Sequence, residues 1–144
     1  MIYTPLTKKA MKIAYEAHRD QVDKSGVPYI YHPIHLAEQM QDEATTCVAL
    51  LHDVAEDTDI TLDDLSREGF GKEIIEALRL MTHDDSEPYM EYVIKLKSNP
   101  VARAVKLADI THNSDLTRLD TADEKALERV KKYKAAIEIL TEQI

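Results

Sequence analysis

Ala49-Leu50-Leu51-His52-Asp53-Val54-Ala55-Glu56-Asp57-Thr58 is the stretch on which the reading of this chain turns. The helix it closes, from about Glu43 to Ala55, is apolar on most sides, which implies a central, buried position. His52 and Asp53 interrupt it with two adjacent metal-capable side chains, and Glu56 and Asp57 follow one turn later. Positions i, i+1, i+4 and i+5 share a helix face, so these four side chains project into one small volume. Three carboxylates at such close quarters repel unless a cation or a proton holds them. The last acids also sit at the unfavourable end of the helix dipole, which argues for a use beyond helix chemistry. The pattern predicts a metal site with acid–base groups beside it.

Working outward, helical periodicity covers most of the chain. Thr4-Pro5 is a cap and first-turn pair for a helix to about Gln21, with Leu6, Ala10, Ile13, Ala14 and Ala17 inward. Val22 to Ile30 carries Ser25-Gly26 and Pro28 and reads as a loop. A short helix is expected after Pro33, and Thr61 resembles the cap of another that ends near Gly69. Further helices are expected from Gly71 to about Met81, from Pro88, from Pro100 through about Ser114, and from a cap at Thr121. The predicted fold is all-α, a compact bundle of about seven to eight helices forming a single domain over residues 1–144.

Composition narrows the function classes. With 144 residues, 44% hydrophobic and 31% charged, the chain reads as one globular domain with a proper core. No stretch approaches the roughly 18 apolar residues of a membrane span. Nothing resembling a signal peptide precedes Pro5, and a cytoplasmic location is expected. The lone Cys47 lies among apolar residues and reads as core. A formal charge of -9 with scattered basic residues argues against a nucleic-acid polymer as partner. A small anion can still bind where a metal and a few cations are placed locally.

Two further residues complete a candidate site. His32 precedes Pro33 where a loop meets a helix, and Asp109 is a charge inside the apolar Val105-Lys106-Leu107-Ala108-Asp109. A buried carboxylate there needs a cation or strong hydrogen bonds. Asn113 follows Asp109 by one turn on the same face. Two histidines and two aspartates form a mixed nitrogen–oxygen set that suits Mn²⁺ or Fe²⁺, with Zn²⁺ also accommodated. In an octahedron such a set leaves two positions for a water and a substrate oxygen.

These residues resemble the ligand pattern of the HD-domain metal-dependent phosphohydrolases, most closely the hydrolase domain of RelA/SpoT-type alarmone enzymes. The similar stretches are Ala17-His18 with Gln21, Ser25-Gly26-Val27-Pro28-Tyr29-Ile30-Tyr31-His32-Pro33, Ala49 to Thr58, and Val105 to Asp109 with His112-Asn113. The resemblance implies an HD-type helical bundle and metal ligands His32, His52, Asp53 and Asp109. It implies water activation by Glu56 and Asp57, and substrate contact by Lys24 and Asn113. The implied substrate is a small-molecule nucleotide, with hydrolysis of the 3′-pyrophosphate of guanosine 3′,5′-bis(diphosphate) using Mn²⁺ as the leading activity. Another HD-superfamily nucleotide phosphatase, or a silent nucleotide-sensing module, is the alternative.

The chain departs from that family at Asp23 and Asp115, where many alarmone hydrolases carry arginine, and at Ile110. An arginine-to-aspartate exchange removes a planar fork suited to phosphate. The remaining polar and aromatic residues have plainer readings. His18 and His112 are expected behind the site or in packing, His35 and His83 on the surface, and Tyr89 and Tyr92 in helix packing. Tyr29 is expected either to pack its loop or to meet a base.

Overall fold

The computed structural model describes residues 1–142. Among these residues eight α-helices follow one another: α1 (Pro5–Ala17), α2 (Tyr31–Glu38), α3 (Glu43–Asp57), α4 (Leu62–Arg67), α5 (Lys72–Met81), α6 (Tyr89–Lys97), α7 (Pro100–Asn113) and α8 (Glu124–Thr141). A single 3₁₀ turn, Leu116–Arg118, links the last two. The all-α fold expected from periodicity is the fold observed. Among the described residues the only extended pairing is an isolated bridge between Val22 and Pro28.

α3 runs through the centre, with Cys47 to Leu51 and Val54 fully buried. It packs against α1, α2, α5 and α7. Burying a leucine such as Leu50 or Leu51 contributes about 1.5–3 kcal/mol, so this helix anchors the fold as well as the site. α8 closes the bundle over α6 and α7. Among the described residues no helix is long and apolar enough to cross a membrane.

Several boundaries differ from expectation for local reasons. α1 stops at Ala17 rather than near Gln21, because His18 becomes its C-cap and turns its ring onto Gln21. α2 starts at Tyr31, two residues before Pro33; proline is tolerated in a first turn, where its missing N–H has no helical partner. α3 continues to Asp57, which places Glu56 and Asp57 inside its last turn. The terminal helix is capped by Asp123, whose carboxylate accepts from the Ala126 N–H, not by Thr121. The 3₁₀ turn after α7 was unexpected; Asp115 makes it by accepting from the Thr117 N–H at 3.0 Å.

Candidate metal centre

Three helices deliver the charged core of the molecule. α2 supplies His32, α3 supplies His52 and Asp53, and α7 supplies Asp109, all four of them buried. One donor atom each from His32, His52 and Asp109 lies within 4.8 Å of the others, close enough to share an ion. Asp53 joins them, its Oδ2 at 3.2 Å from His52 Nε2 and 3.9 Å from His32 Nε2.

The outer nitrogens of the two rings decide what the inner ones can do. His52 Nδ1 lies 2.8 Å from the Ala49 carbonyl, which can only accept, so Nδ1 carries the hydrogen. Nε2 of the neutral ring is then a lone pair facing the carboxylates. It is buried without a hydrogen-bond partner among the described residues. The nearest oxygens of Asp53 and Asp109 lie 3.2 and 3.6 Å from it. His32 differs: its Nδ1 lies 2.7 Å from His112 Nδ1, and its Nε2 is hydrogen-bonded to Asp109 Oδ1 at 2.9 Å. Burial, then Arg118, His32 and His35, push the His112 pKa down to about 4, so its neutral ring can accept from His32. Two imidazole nitrogens and two carboxylates converging in a buried spot fit a divalent cation, and imidazole with carboxylate suits Mn²⁺, Fe²⁺ or Zn²⁺.

Without a cation, protons bear that load. Burial works against a charged His52, but Asp53 and Asp109 outweigh it and hold its pKa well above the ordinary value. Burial likewise works against ionised Asp109. Lys106 and the two histidines overcome it, so the carboxyl stays well below the usual range.

Other polar groups hold the cluster from outside. Lys106 Nζ sits 3.1 Å from Asp109 Oδ2 and lies over the rings of Tyr89 and Tyr92. The Tyr29 hydroxyl donates to Asp53 Oδ2, and Asn113 Nδ2 donates to Asp109 Oδ1 at 3.2 Å. Glu56 and Asp57 stand at the rim. Both are solvent-accessible, yet the surrounding protein removes enough water to raise both pKa values, with Asp53 adding to the effect. Lys106 pulls Glu56 back toward ionisation, while His18 and His52 do so for Asp57.

Beside Tyr29 and Asn113 opens a cavity of about 390 Å³, also lined by Gln21, Lys24, Arg118, Arg129 and Tyr133. Asp23 and Asp115 line it too, but their carboxylates face the chain. Asp23 Oδ1 accepts from the N–H groups of Ser25 (2.8 Å) and Val27 (3.0 Å), and Asp115 accepts from Thr117. The two acids build turns, and the cavity keeps three cations.

All the ligand candidates named from sequence therefore meet at one point, and Lys24 and Asn113 lie on the adjoining cavity. His18 is buried, as expected, with Nδ1 on Gln21 Oε1 and its ring against Tyr29. His35 is exposed, yet its ring stacks on His112 at 4.1 Å. His83, expected on the surface, is half-buried, its ring on Tyr92 and its Nε2 at the Glu87 carbonyl. Lys106, Arg118, Arg129 and Tyr133 were not singled out from sequence. Lys106 had a signal, since a lysine three residues before a buried aspartate on one helix is a natural partner for it. The other three reach the cavity only through the packing of α8 and the 3₁₀ turn.

Fold and site together define the class: residues 10–137 match the HD domain family, and the chain belongs to it. It is 35% identical over 146 residues to a GTP pyrophosphokinase of Streptomyces antibioticus, covering 92% of this chain and 16% of that protein. It is 34% identical over 121 residues to the bifunctional (p)ppGpp synthase/hydrolase SpoT of Escherichia coli K12, covering 74% and 17%. A guanosine-3′,5′-bis(diphosphate) 3′-pyrophosphohydrolase of Aquifex aeolicus is 32% identical over 118 residues, again covering 74% and 17%. The chain thus spans about a sixth of the length of these curated relatives. Among solved structures, a metazoan ortholog of SpoT, described as hydrolysing ppGpp, aligns with a TM-score of 0.75 at 26% identity. That alignment covers 97% of this chain and 85% of the other.

Proposed function

We propose that this chain is a divalent-metal-dependent phosphohydrolase that removes the 3′-pyrophosphate of guanosine 3′,5′-bis(diphosphate). The observation that carries the reading is the pair of inward Nε2 atoms of His32 and His52, converging with Asp53 and Asp109 beside a cavity lined by Lys24, Arg118 and Arg129. The family and the similarity to proteins named for this hydrolysis support the substrate.

In this reading His32, His52, Asp53 and Asp109 hold the ion, with Mn²⁺ preferred. The ion supplies Lewis acidity toward a phosphoryl oxygen. Lys24, Arg118, Arg129 and Asn113 hold the phosphates of the nucleotide and fix the scissile bond in place. Glu56 or Asp57 accepts a proton from the attacking water as its oxygen bonds to phosphorus. The bond from phosphorus to the 3′ oxygen breaks, that oxygen takes up a proton, and pyrophosphate departs. Raised pKa values make the two carboxylates stronger proton acceptors than free ones.

The test is product analysis with Mn²⁺-loaded protein, guanosine 3′,5′-bis(diphosphate) and a panel of common nucleotides. Pyrophosphate release from the 3′ end, abolished in His52→Ala together with metal content, is expected. Orthophosphate release from simple monophosphates instead identifies another nucleotide phosphatase of the family. Metal binding and nucleotide binding without turnover identify a sensor.

A further inference from the structure

Asp109 is hydrogen-bonded to His32, Lys106 and Asn113, and the last of these is itself held. The amide of Asn113 donates through Nδ2 to Asp109 Oδ1 at 3.2 Å, while its Oδ1 accepts from Arg118 Nη1 at 3.2 Å. Asparagine can turn its amide over, exchanging nitrogen for oxygen at little intrinsic cost. Turned over here, it would place oxygen against the Asp109 carboxylate and NH₂ against a guanidinium, two repulsive contacts replacing two attractive ones. Arg118 therefore selects the orientation in which Asn113 can donate to Asp109.

The guanidinium is well placed to hold that setting. The same Nη1 donates to the His112 carbonyl at 3.1 Å, fixing the residue whose ring meets the outer nitrogen of His32. The Arg118 carbonyl accepts from Ser25 Oγ at 3.0 Å, which pins the arginine's backbone to the loop that carries Lys24. The 3₁₀ turn built by Asp115 brings the side chain back over the end of α7. One cation thus touches the outer partners of two metal-ligand candidates that enter from different helices.

We infer that Arg118 is a positioning residue for the metal centre, acting on Asp109 through the amide of Asn113. The inference rests on the reading of His32, His52, Asp53 and Asp109 as a metal site. Its consequence is a loss of metal affinity when Arg118 is neutralised, transmitted by Asn113 and absent once Asn113 has been removed. Changing a hydrogen-bond partner of a ligand typically costs about 10–100-fold in metal affinity. One link further out, Arg118→Met is expected to cost about 3–10-fold.

The experiment is a double-mutant cycle on Mn²⁺ affinity, read by competition with a chromophoric chelator and by the electron paramagnetic resonance of the bound ion. The proteins are the full chain, Arg118→Met, Asn113→Ala and the double variant, with Arg118→Lys to test rescue. Thermal melting of each metal-free protein separates general unfolding from a local change. The inference expects weaker Mn²⁺ binding in Arg118→Met and partial recovery in Arg118→Lys. It also expects no further loss when Arg118→Met is added to Asn113→Ala. Losses that multiply in the double variant, or an unchanged affinity in Arg118→Met, overturn it. Failure of the underlying site is seen separately: a parent protein that binds no Mn²⁺, or a His52→Ala variant that binds it equally well, removes the metal reading and the role of Arg118 with it.

Discussion

The two ends of α3 carry acids of opposite character. At its start, Asp42 is the N-cap, its carboxylate accepting from the Thr45 N–H at 2.8 Å and the Thr45 hydroxyl at 2.7 Å, and Glu43 follows in the first turn. Negative charge is favourable there, and those hydrogen bonds hold Asp42 below the ordinary carboxylate range. At the other end, Asp53, Glu56 and Asp57 crowd a terminus that already carries partial negative charge, and its last turn holds no basic residue. Burial and Asp53 hold Glu56 and Asp57 above the ordinary range. One helix thus has an end whose acids stabilise the fold and an end where two acids, Glu56 and Asp57, strain it. The second kind of acid has to be explained by something the protein does.

The sharpest way to break this comparison is to remove the charge at the strained end. Glu56→Gln is expected to reduce turnover by about 10²–10⁴-fold, the range for loss of a positioned acid or base. Metal affinity is expected to remain, and thermal stability to rise by about 0.3–1 kcal/mol, because a charge has left the wrong end of a dipole. The pH profile supplies the sign. A raised pKa means the base form is lost as pH falls through a value above the ordinary glutamate range, so activity declines on that acid limb. In Glu56→Gln that limb should disappear or pass to Asp57. A variant that loses stability and keeps its turnover makes the acid structural, and the two ends alike.

The strain at this end was visible in sequence because all its parts lie within six residues. His52, Asp53, Glu56 and Asp57 share a face by helical spacing alone, and a caps-and-dipole argument flags them. His32 and Asp109 were legible as polar residues in apolar or proline-bounded settings, and the bundle brings them to the same point. Asp23 and Asp115 were legible as departures from the alarmone hydrolases, but their meaning was not. Only the backbone shows that each carboxylate is turned onto N–H groups of its own turn. Arg118, Arg129 and Tyr133 had no local signature, because their place depends on how α8 and a 3₁₀ turn fold back over α7. Boundaries moved where a side chain captured the backbone, as His18 does at α1 and Asp123 at α8.

Lys106 tests whether the excess negative charge is balanced from outside α3. Its ammonium is buried beside Asp109, and although burial disfavours the charge, Asp109 raises its pKa above the ordinary lysine value. Lys106→Met leaves a buried carboxylate without its cation, a loss of about 3–5 kcal/mol when one partner of a buried pair is removed. A bound divalent ion replaces part of the missing charge. The fall in melting temperature is therefore expected to be larger in chelator than in Mn²⁺. Equal falls in both would show that Lys106 matters for packing against Tyr89 and Tyr92, and not for the charge balance of the centre.

The favourable end provides the smallest effect. Asp42→Ala removes one side-chain cap and is expected to cost about 1 kcal/mol. Metal content and turnover are expected to be unchanged, since Asp42 lies at the opposite end of α3 from the ligand candidates His52 and Asp53. The pH dependence of that contribution also has a fixed sign. Because the folded pKa of Asp42 is depressed, its stabilisation is complete above the unfolded value and fades as pH falls through the folded one. The stability difference between parent and Asp42→Ala should therefore shrink in acid, whereas the gain from Glu56→Gln should shrink as Glu56 becomes neutral. Both differences vanish in acid, but at different points: that of Glu56→Gln at the ordinary glutamate value, after fading from the raised folded pKa, and that of Asp42→Ala only below the ordinary aspartate value. The order of those two points, read from paired melts across pH, is the direct measure of how differently the two ends of one helix treat a carboxylate.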